Sequence, residues 1–284
     1  MLYKYIIIRE DFIHMDERPI GFFDSGVGGV TCIPHIIRML PKESIIFYGD
    51  TARTPYGSKS PETIKQFSLQ VGDFLVNNGV KMIVCACNTV SSTALETLRE
   101  HFPDIPVVGC IGPTARQVVR DTTLSNKIGI MATKATVTSG AYVDKILSLN
   151  GDLDIHQVAC PAIVPLIEEG IINNEIMDLT IKYYLDGFME KYSIDTLVLG
   201  CTHYPLIAEN IARLYPGVRM FSSSEEVATA VKMELESRDM LSARPEREST
   251  FYASDLSENF VNMISRILGK DSEELNIRFK NLDI

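Results

Sequence analysis

No apolar run in this 284-residue chain approaches the roughly 20 residues that cross a bilayer. The opening stretch, MLYKYIIIREDFIHMDERP, is apolar only briefly before it reaches Arg9, Glu10 and Asp11, which argues against a signal or transit peptide. A dense basic stripe is also missing. With 27 Lys and Arg against 37 Asp and Glu, the formal net charge is -10, a poor match to duplex-binding proteins and no argument for a membrane partner. An acidic small molecule stays open, because a few local donors can hold a carboxylate. Six cysteines are too few for a disulfide scaffold and, without an export signal, point to a reducing, cytoplasmic setting. The glycines of FFDSGVGG do not have the GxGxxG dinucleotide spacing, no strong P-loop occurs, and the CAC of residues 85–87 is not a CxxC redox pair.

What is present is enough apolar material, 45% of residues, for either one large α/β domain or two of ordinary size. Short apolar strands are expected at Ile20–Phe23, Ser44–Tyr48, Lys81–Cys85 and Pro106–Val108. They alternate with amphipathic helices such as Ser60–Asn77 and Ser92–His101. A second series follows, with strands at Ile128–Met131, Asp154–Val158, Thr196–Leu199 and Val218–Phe221. Its helices are expected over Ser139–Leu149, Ile172–Tyr192 and Pro205–Leu214. Strands that are apolar throughout and separated by helices imply mainly parallel sheets covered on both faces. The fold class is therefore α/β, with two similar, pseudo-symmetric domains.

The series also match at their strand ends: GFFDSG with GIMATKAT, FYGDTARTPYG with VACPAIVPLIEEG, and VCACNT with LGCTHYP. Three matches in one order favour an ancient duplication over chance. The chain turns helical from about Val227, and FYASDLSENFVNMISRILG, too small for its own core, should return to the first domain. The expected domains are 18–113 with about 226–284, and 114–225, preceded by an extension over 1–17. Met15 offers an alternative start.

Polar and sulfur-bearing residues beyond the carboxyl ends of parallel strands lie where such sheets form ligand crevices. Cys87 follows one apolar strand and precedes a helix opened by Asn88, Thr89 or Ser91, whose free N–H groups could stabilise a thiolate or hold a carboxylate. Cys201 repeats that setting, with Thr202 as a donor and Pro205 suited to the first helical turn. Either cysteine alone could simply fill a strand terminus. Together, entering a crevice from opposite domains, they could remove and donate protons on opposite faces of one carbon. Asp24 is either a helix cap or a charge near Cys87. His203 is placed to tune Cys201, whereas His14, His35, His101 and His156 lack such a setting. Cys32, Cys85, Cys110 and Cys160 are expected to be buried free thiols. Zinc is disfavoured, since neither Cys-X-Cys nor Cys-X-His has the usual structural spacing.

RPIGFFDSGVGG, FYGDTARTPYG, IVCACNTVSSTAL, VACPAIVPLIEEG and LVLGCTHYPLI, in this order between Arg18 and about Gly269, resemble the glutamate racemases of the cofactor-independent aspartate/glutamate racemase superfamily. The resemblance implies interconversion of L- and D-glutamate without pyridoxal phosphate or metal, supplying D-glutamate for peptidoglycan, with a homodimer as the assembly. It implies that Cys87 takes the Cα proton of D-glutamate while Cys201 supplies one to the opposite face. Asp24 would assist Cys87, and Glu168 and His203 the Cys201 side. Asp24, Ser25, Pro55, Tyr56, Gly57, Asn88, Thr89, Thr133, Thr136 and Thr202 match the family's substrate contacts. Two departures stand out: Ser222 replaces a common aspartate, and the N-terminal extension is long. A racemase of aspartate or another acidic amino acid, or a catalytically silent amino-acid-binding protein, would use the same crevice.

Overall fold

The computed structural model describes residues 16–121, 127–243 and 248–282, so most of the N-terminal extension lies outside the described residues. In chain order the strands are β1 (Ile20–Asp24), β2 (Ile45–Gly49), β3 (Met82–Cys85), β4 (Val107–Gly109), β5 (Lys127–Ala132), β6 (Asp154–Ala159), β7 (Thr196–Gly200), β8 (Arg219–Ser222), β9 (Thr250–Ala253) and β10 (Asn276–Phe279). They form a six-stranded sheet, β10-β9-β2-β1-β3-β4, and a four-stranded sheet, β6-β5-β7-β8. Every pairing in both is parallel.

The order β2-β1-β3-β4 in the first sheet is repeated as β6-β5-β7-β8 in the second. The duplication expected from the strand ends thus appears as identical topology. In each sheet the chain first steps to one side of its starting strand and then crosses to the other, which opens a crevice between β1 and β3 and between β5 and β7. Central strands β1, β3 and β7 are buried at every residue, as their unbroken apolar runs require. Edge strand β6, DIHQVA, is more polar and largely half-buried, with His156 stacked on Tyr192.

Several local details differ from the sequence expectation. The helix after β3 opens at Asn88, the first of the three residues offered for that role and ahead of the Ser92–His101 stretch, and it breaks at Ala94 into Asn88–Thr93 and Leu95–His101. Pro205 lies in a short 3-10 turn, Tyr204–Ile207, ahead of the helix Ala208–Leu214. Helices Ile33–Met39, Ile111–Asp121 and Ile163–Glu168, and strand β10, were not expected. Ser222, the departure from the family aspartate, still caps: its Oγ accepts the Ser224 N–H at 3.3 Å and starts the helix Ser223–Ser237.

After that helix the chain returns to the first sheet, where β9 pairs with β2 and β10 adds outside it. A buried ion pair anchors the return. Lys81 Nζ lies 2.6 Å from Glu43 Oε2, with both side chains essentially inaccessible. The same ammonium donates to the carbonyls of Asp16 and Met240 at 2.7 Å each, and Glu43 accepts the Ser242 N–H at 2.8 Å. Removing one partner strands the other charge, so Lys81→Met should cost roughly 3–5 kcal/mol in denaturant unfolding. A loss below about 1 kcal/mol, the scale of an exposed pair, would show that the pair does not anchor the return.

Candidate active site

The carboxyl ends of the two sheets face one another across a closed pocket. Three strands of each sheet contribute to its wall. Ser25 follows β1, Pro55, Tyr56 and Gly57 follow β2, and Cys87, Asn88 and Thr89 follow β3. From the other sheet come Thr133 after β5, Val164 after β6, and Cys201, Thr202 and His203 after β7. The enclosed volume is about 10 Å³, the scale of one water, so this is a shut form of the crevice.

Cys87 is itself the N-cap of Asn88–Thr93, with φ -61° and ψ 123°. Its sulfur lies 3.6 Å from Ser25 Oγ. Burial, and then the Asp24 carboxylate, push the thiol up to about 12, although the Val90 N–H and the Ser25 hydroxyl favour the thiolate. In the shut pocket Cys87 is therefore a neutral thiol at physiological pH.

Cys201 has a different neighbour. Its sulfur lies 3.8 Å from His203 Nδ1, and His203 Nε2 lies 3.1 Å from Glu168 Oε1. Burial alone works against a charged His203, yet Cys201 and Glu168 on either side together raise its pKa well above the ordinary histidine value. A sulfur, an imidazole and a carboxylate in line can hold and pass one proton.

Asp24 stands behind the pocket wall, fully buried. One oxygen accepts the Gly26 N–H at 2.9 Å and the other accepts the Thr202 hydroxyl at 3.1 Å, so its role is a bridge between the two halves. Burial raises its pKa, with the nearby His203 charge and these donors opposing. The glycines beside it permit the approach. A Cβ on Gly28 would lie 2.5 Å from both His203 Nδ1 and Thr202 Oγ1. Glu168 and Thr136 also stand behind the wall. Thr136 meets Thr133 Oγ1 at 3.1 Å, and Thr133 in turn meets Thr89 Oγ1 at 2.9 Å.

Of the sequence candidates, all but Asp24, Glu168 and Thr136 line the pocket directly, and those three support residues that do. Cys110 lies elsewhere, held under Ser91 with 3.2 Å between sulfur and hydroxyl oxygen. Among the described residues, no group of three or more His, Cys, Asp or Glu side chains could hold a metal ion.

Two features were missed from sequence. Val164 supplies an apolar wall between the polar groups. Asp50 ties down the loop that carries Pro55, Tyr56 and Gly57. Its buried carboxylate accepts from Arg53 Nε at 2.7 Å, from Ser254 Oγ at 2.8 Å and from the Tyr56 hydroxyl. Arg53 also reaches Gln70 and lies 4.1 Å over the Phe67 ring. The signal was within FYGDTARTPYG, but Ser254 is 204 residues away and only β9 brings it close.

Paired α/β units that set one thiol each on a shared closed pocket supply the arrangement that two-sided proton transfer at carbon needs, and the class of protein that uses it is given by the chain's relatives. A family model described as Asp/Glu/Hydantoin racemase matches residues 23–231. A glutamate racemase from Geobacter metallireducens is 43% identical over 257 residues, 90% of this chain and 94% of that protein. The crystal structure of glutamate racemase from Francisella tularensis in complex with D-glutamate superposes with a TM-score of 0.87 at 35% identity, covering 94% of this chain and 99% of that one. The isoform RacE1 from Bacillus anthracis gives 0.88 at 34% identity, covering 95% and 99%. The chain belongs to the Asp/Glu/hydantoin racemase family, among its glutamate racemases.

The Asp50 contacts yield a test of loop positioning. Asp50→Asn puts a donor where three donors converge and should raise the KM for D-glutamate about tenfold, with kcat less affected. Ser254→Ala, which loses the bond to Asp50 and the one from the Ala52 N–H but leaves the carboxylate in place, should raise it by a smaller factor. A folded Asp50→Asn protein with unchanged KM would reduce Asp50 to a purely structural group.

Proposed function

We propose that this chain interconverts L- and D-glutamate by a two-base reaction in which Cys87 and Cys201 act from opposite faces of Cα, supplying D-glutamate for peptidoglycan. The observation that carries this reading is the matched placement of the two thiols, each at a third-strand end of its repeat and both on one pocket. From D-glutamate, Cys87 as thiolate takes the Cα proton while Cys201 as thiol delivers its own to the other face. The bond electrons stay on carbon throughout, and one thiol and one thiolate exchange identities. From L-glutamate the roles reverse.

The chemistry needs one thiol and one thiolate at any instant, so the apparent pKa values of the working site belong to the pair and the bound substrate. A Cα–H is a weak acid. Orientation, exclusion of water and donors to the substrate carboxylate must supply most of the acceleration. Asn88, Thr89, Thr133 and Thr202 are buried polar groups on the wall, suited to the substrate's carboxylates and ammonium. Asp24 keeps Thr202 in place, and Glu168 orients His203 beside Cys201. In this reading residues 18–113 with 226–284 move against 114–225 to admit substrate and shut out water.

The setting is the cytoplasm, consistent with six free cysteines and, among the described residues, with no helix long and apolar enough to cross a membrane. A homodimer is the working unit. It is supported by the family resemblance and by Ile176, Leu179 and Tyr183, which are 55%, 58% and 82% exposed at helical spacing on Glu175–Tyr192. Sedimentation that finds only monomer at micromolar concentration would remove the dimer.

The reaction is tested in deuterated water with metal-free, pyridoxal-free protein. Each enantiomer should yield its opposite carrying solvent deuterium at Cα, while the remaining substrate initially keeps its hydrogen, because removal and delivery use different thiols. Cys87→Ser and Cys201→Ser should each lose roughly 10²–10⁴-fold in turnover, the scale of a general acid–base group, whereas Cys110→Ser should retain it. Folded protein without interconversion or exchange would overturn the reading, and faster turnover of aspartate than of glutamate would overturn its substrate.

A further inference from the structure

The shut pocket cannot hold an amino acid, but a larger cleft lies against its wall. About 470 Å³ in volume, it runs between the turn after β2, the start of helix Pro61–Asn77, the end of Asn88–Thr93 and the helix Lys134–Ser139. Gly57 lines both spaces, and Thr133 precedes Lys134 in the chain. The partition is thin. A Cβ on Gly57 would lie 2.5 Å from Thr133 Cβ, and beside that contact the Thr133 and Thr89 hydroxyls meet at 2.9 Å. Gly57 and Thr89 follow strands of the first sheet and Thr133 a strand of the second, so parting the two halves here joins the cleft to the cysteines without breaking a covalent bond.

The charge on this cleft is opposite to that of the whole molecule. The chain carries a formal charge of -10, yet the cleft is lined by Lys59, Lys65 and Lys134 and, among the described residues, by no aspartate or glutamate. Lys65 and Lys134 are exposed and Lys59 half-exposed. The wall also includes Pro61, the first residue of a 17-residue helix whose N-terminal end adds positive potential. Glu62 lies in that first turn, but is not part of the wall. Without local cations, an acidic protein would repel an acidic substrate from its own entrance.

We propose that this lysine-lined cleft is the entry vestibule for the acidic amino acid: it collects the anion from solution and hands it to the cysteine pocket when the Gly57–Thr133 and Thr89–Thr133 contacts part. The inference rests on the racemase reading and adds to it a second, outer binding surface for dicarboxylic amino acids. The lysines take no part in proton transfer. Their effect falls on capture, and salt weakens it because exposed charges are screened.

The test uses the full-length protein with Lys59, Lys65 and Lys134 together changed to Gln, assayed with D-glutamate at about 20 mM and about 200 mM NaCl, near which the Debye length falls from tens of ångströms to under ten. Expected at low salt is a loss of about 5–10-fold in kcat/KM with kcat unchanged, and a flatter salt dependence than in the unsubstituted protein. Replacing the same three residues by Arg should restore both. A control with exposed Lys42, Lys182 and Lys191 changed to Gln alters the net charge equally and should behave as the unsubstituted protein. Three results would each overturn the vestibule: kcat/KM and salt dependence unchanged in the first variant, kcat falling as far as kcat/KM, or the control losing as much. Failure of the racemase reading is distinguishable, since the unsubstituted protein would then show no turnover.

Discussion

Everything at the pocket depends on a buried carboxylate being satisfied from two sides. Asp24 has no contact with solvent, and a charge in that position is costly unless it is hydrogen-bonded. Its own loop supplies the Gly26 N–H, and the other half of the molecule supplies the Thr202 hydroxyl. Thr202 directly follows Cys201, while Asp24 directly precedes Ser25, which touches Cys87. That cross-seam bond, together with Thr31 Oγ1 on the Thr202 carbonyl at 3.3 Å and the Thr89–Thr133 contact at 2.9 Å, ties the segments that carry the two sulfurs to one another. It forms only because Gly28 presents no side chain to Thr202 and His203.

The duplication explains why the thiols face each other, and the departures from it explain why they are not equivalent. Each repeat carries a cysteine just beyond its third strand, so bringing the two carboxyl edges together places both thiols on one crevice. Only the first sheet gains β9 and β10, however, and only there does Ser254 reach the loop after β2. Only the second repeat surrounds its sulfur with histidine and glutamate. The first half is braced by a remote part of the chain, whereas the second carries its proton-holding groups locally.

The same contrast governs what could be seen from sequence. Unbroken apolar runs revealed β1, β3 and β7, since strands covered on both faces can contain little else. Strand-end position singled out Cys87, Cys201, Thr202 and His203 because parallel sheets gather those ends, while Ser25, Pro55, Tyr56, Gly57 and Thr133 were reached through the family resemblance and Val164 was not reached at all. The helix Ile111–Asp121 was missed, although its buried Ile111, Ala115 and Val118 follow helical spacing, because it lies between the two strand series where no repeat drew attention. Strand β10, half-exposed at the sheet edge, has too weak an apolar pattern to separate it from a tail. The Asp50–Ser254 bond and the lysine cleft were illegible for a deeper reason. Both are formed by segments distant in sequence, and no local pattern encodes which distant segments will meet.

The unequal surroundings of the two sulfurs have a thermodynamic consequence. Mirror-image amino acids in water have identical free energies, so the equilibrium constant between them is unity whatever the protein does. Cys87 sits beside a serine and Cys201 beside an imidazolium-forming histidine, which leaves kcat and KM free to differ between the two directions. Their quotients must nevertheless coincide. Asymmetry in the protein can choose which enantiomer is held longer and turned over faster at saturation, but any gain in one constant is returned in the other, and the molecule can set the pace of each direction without ever setting the destination.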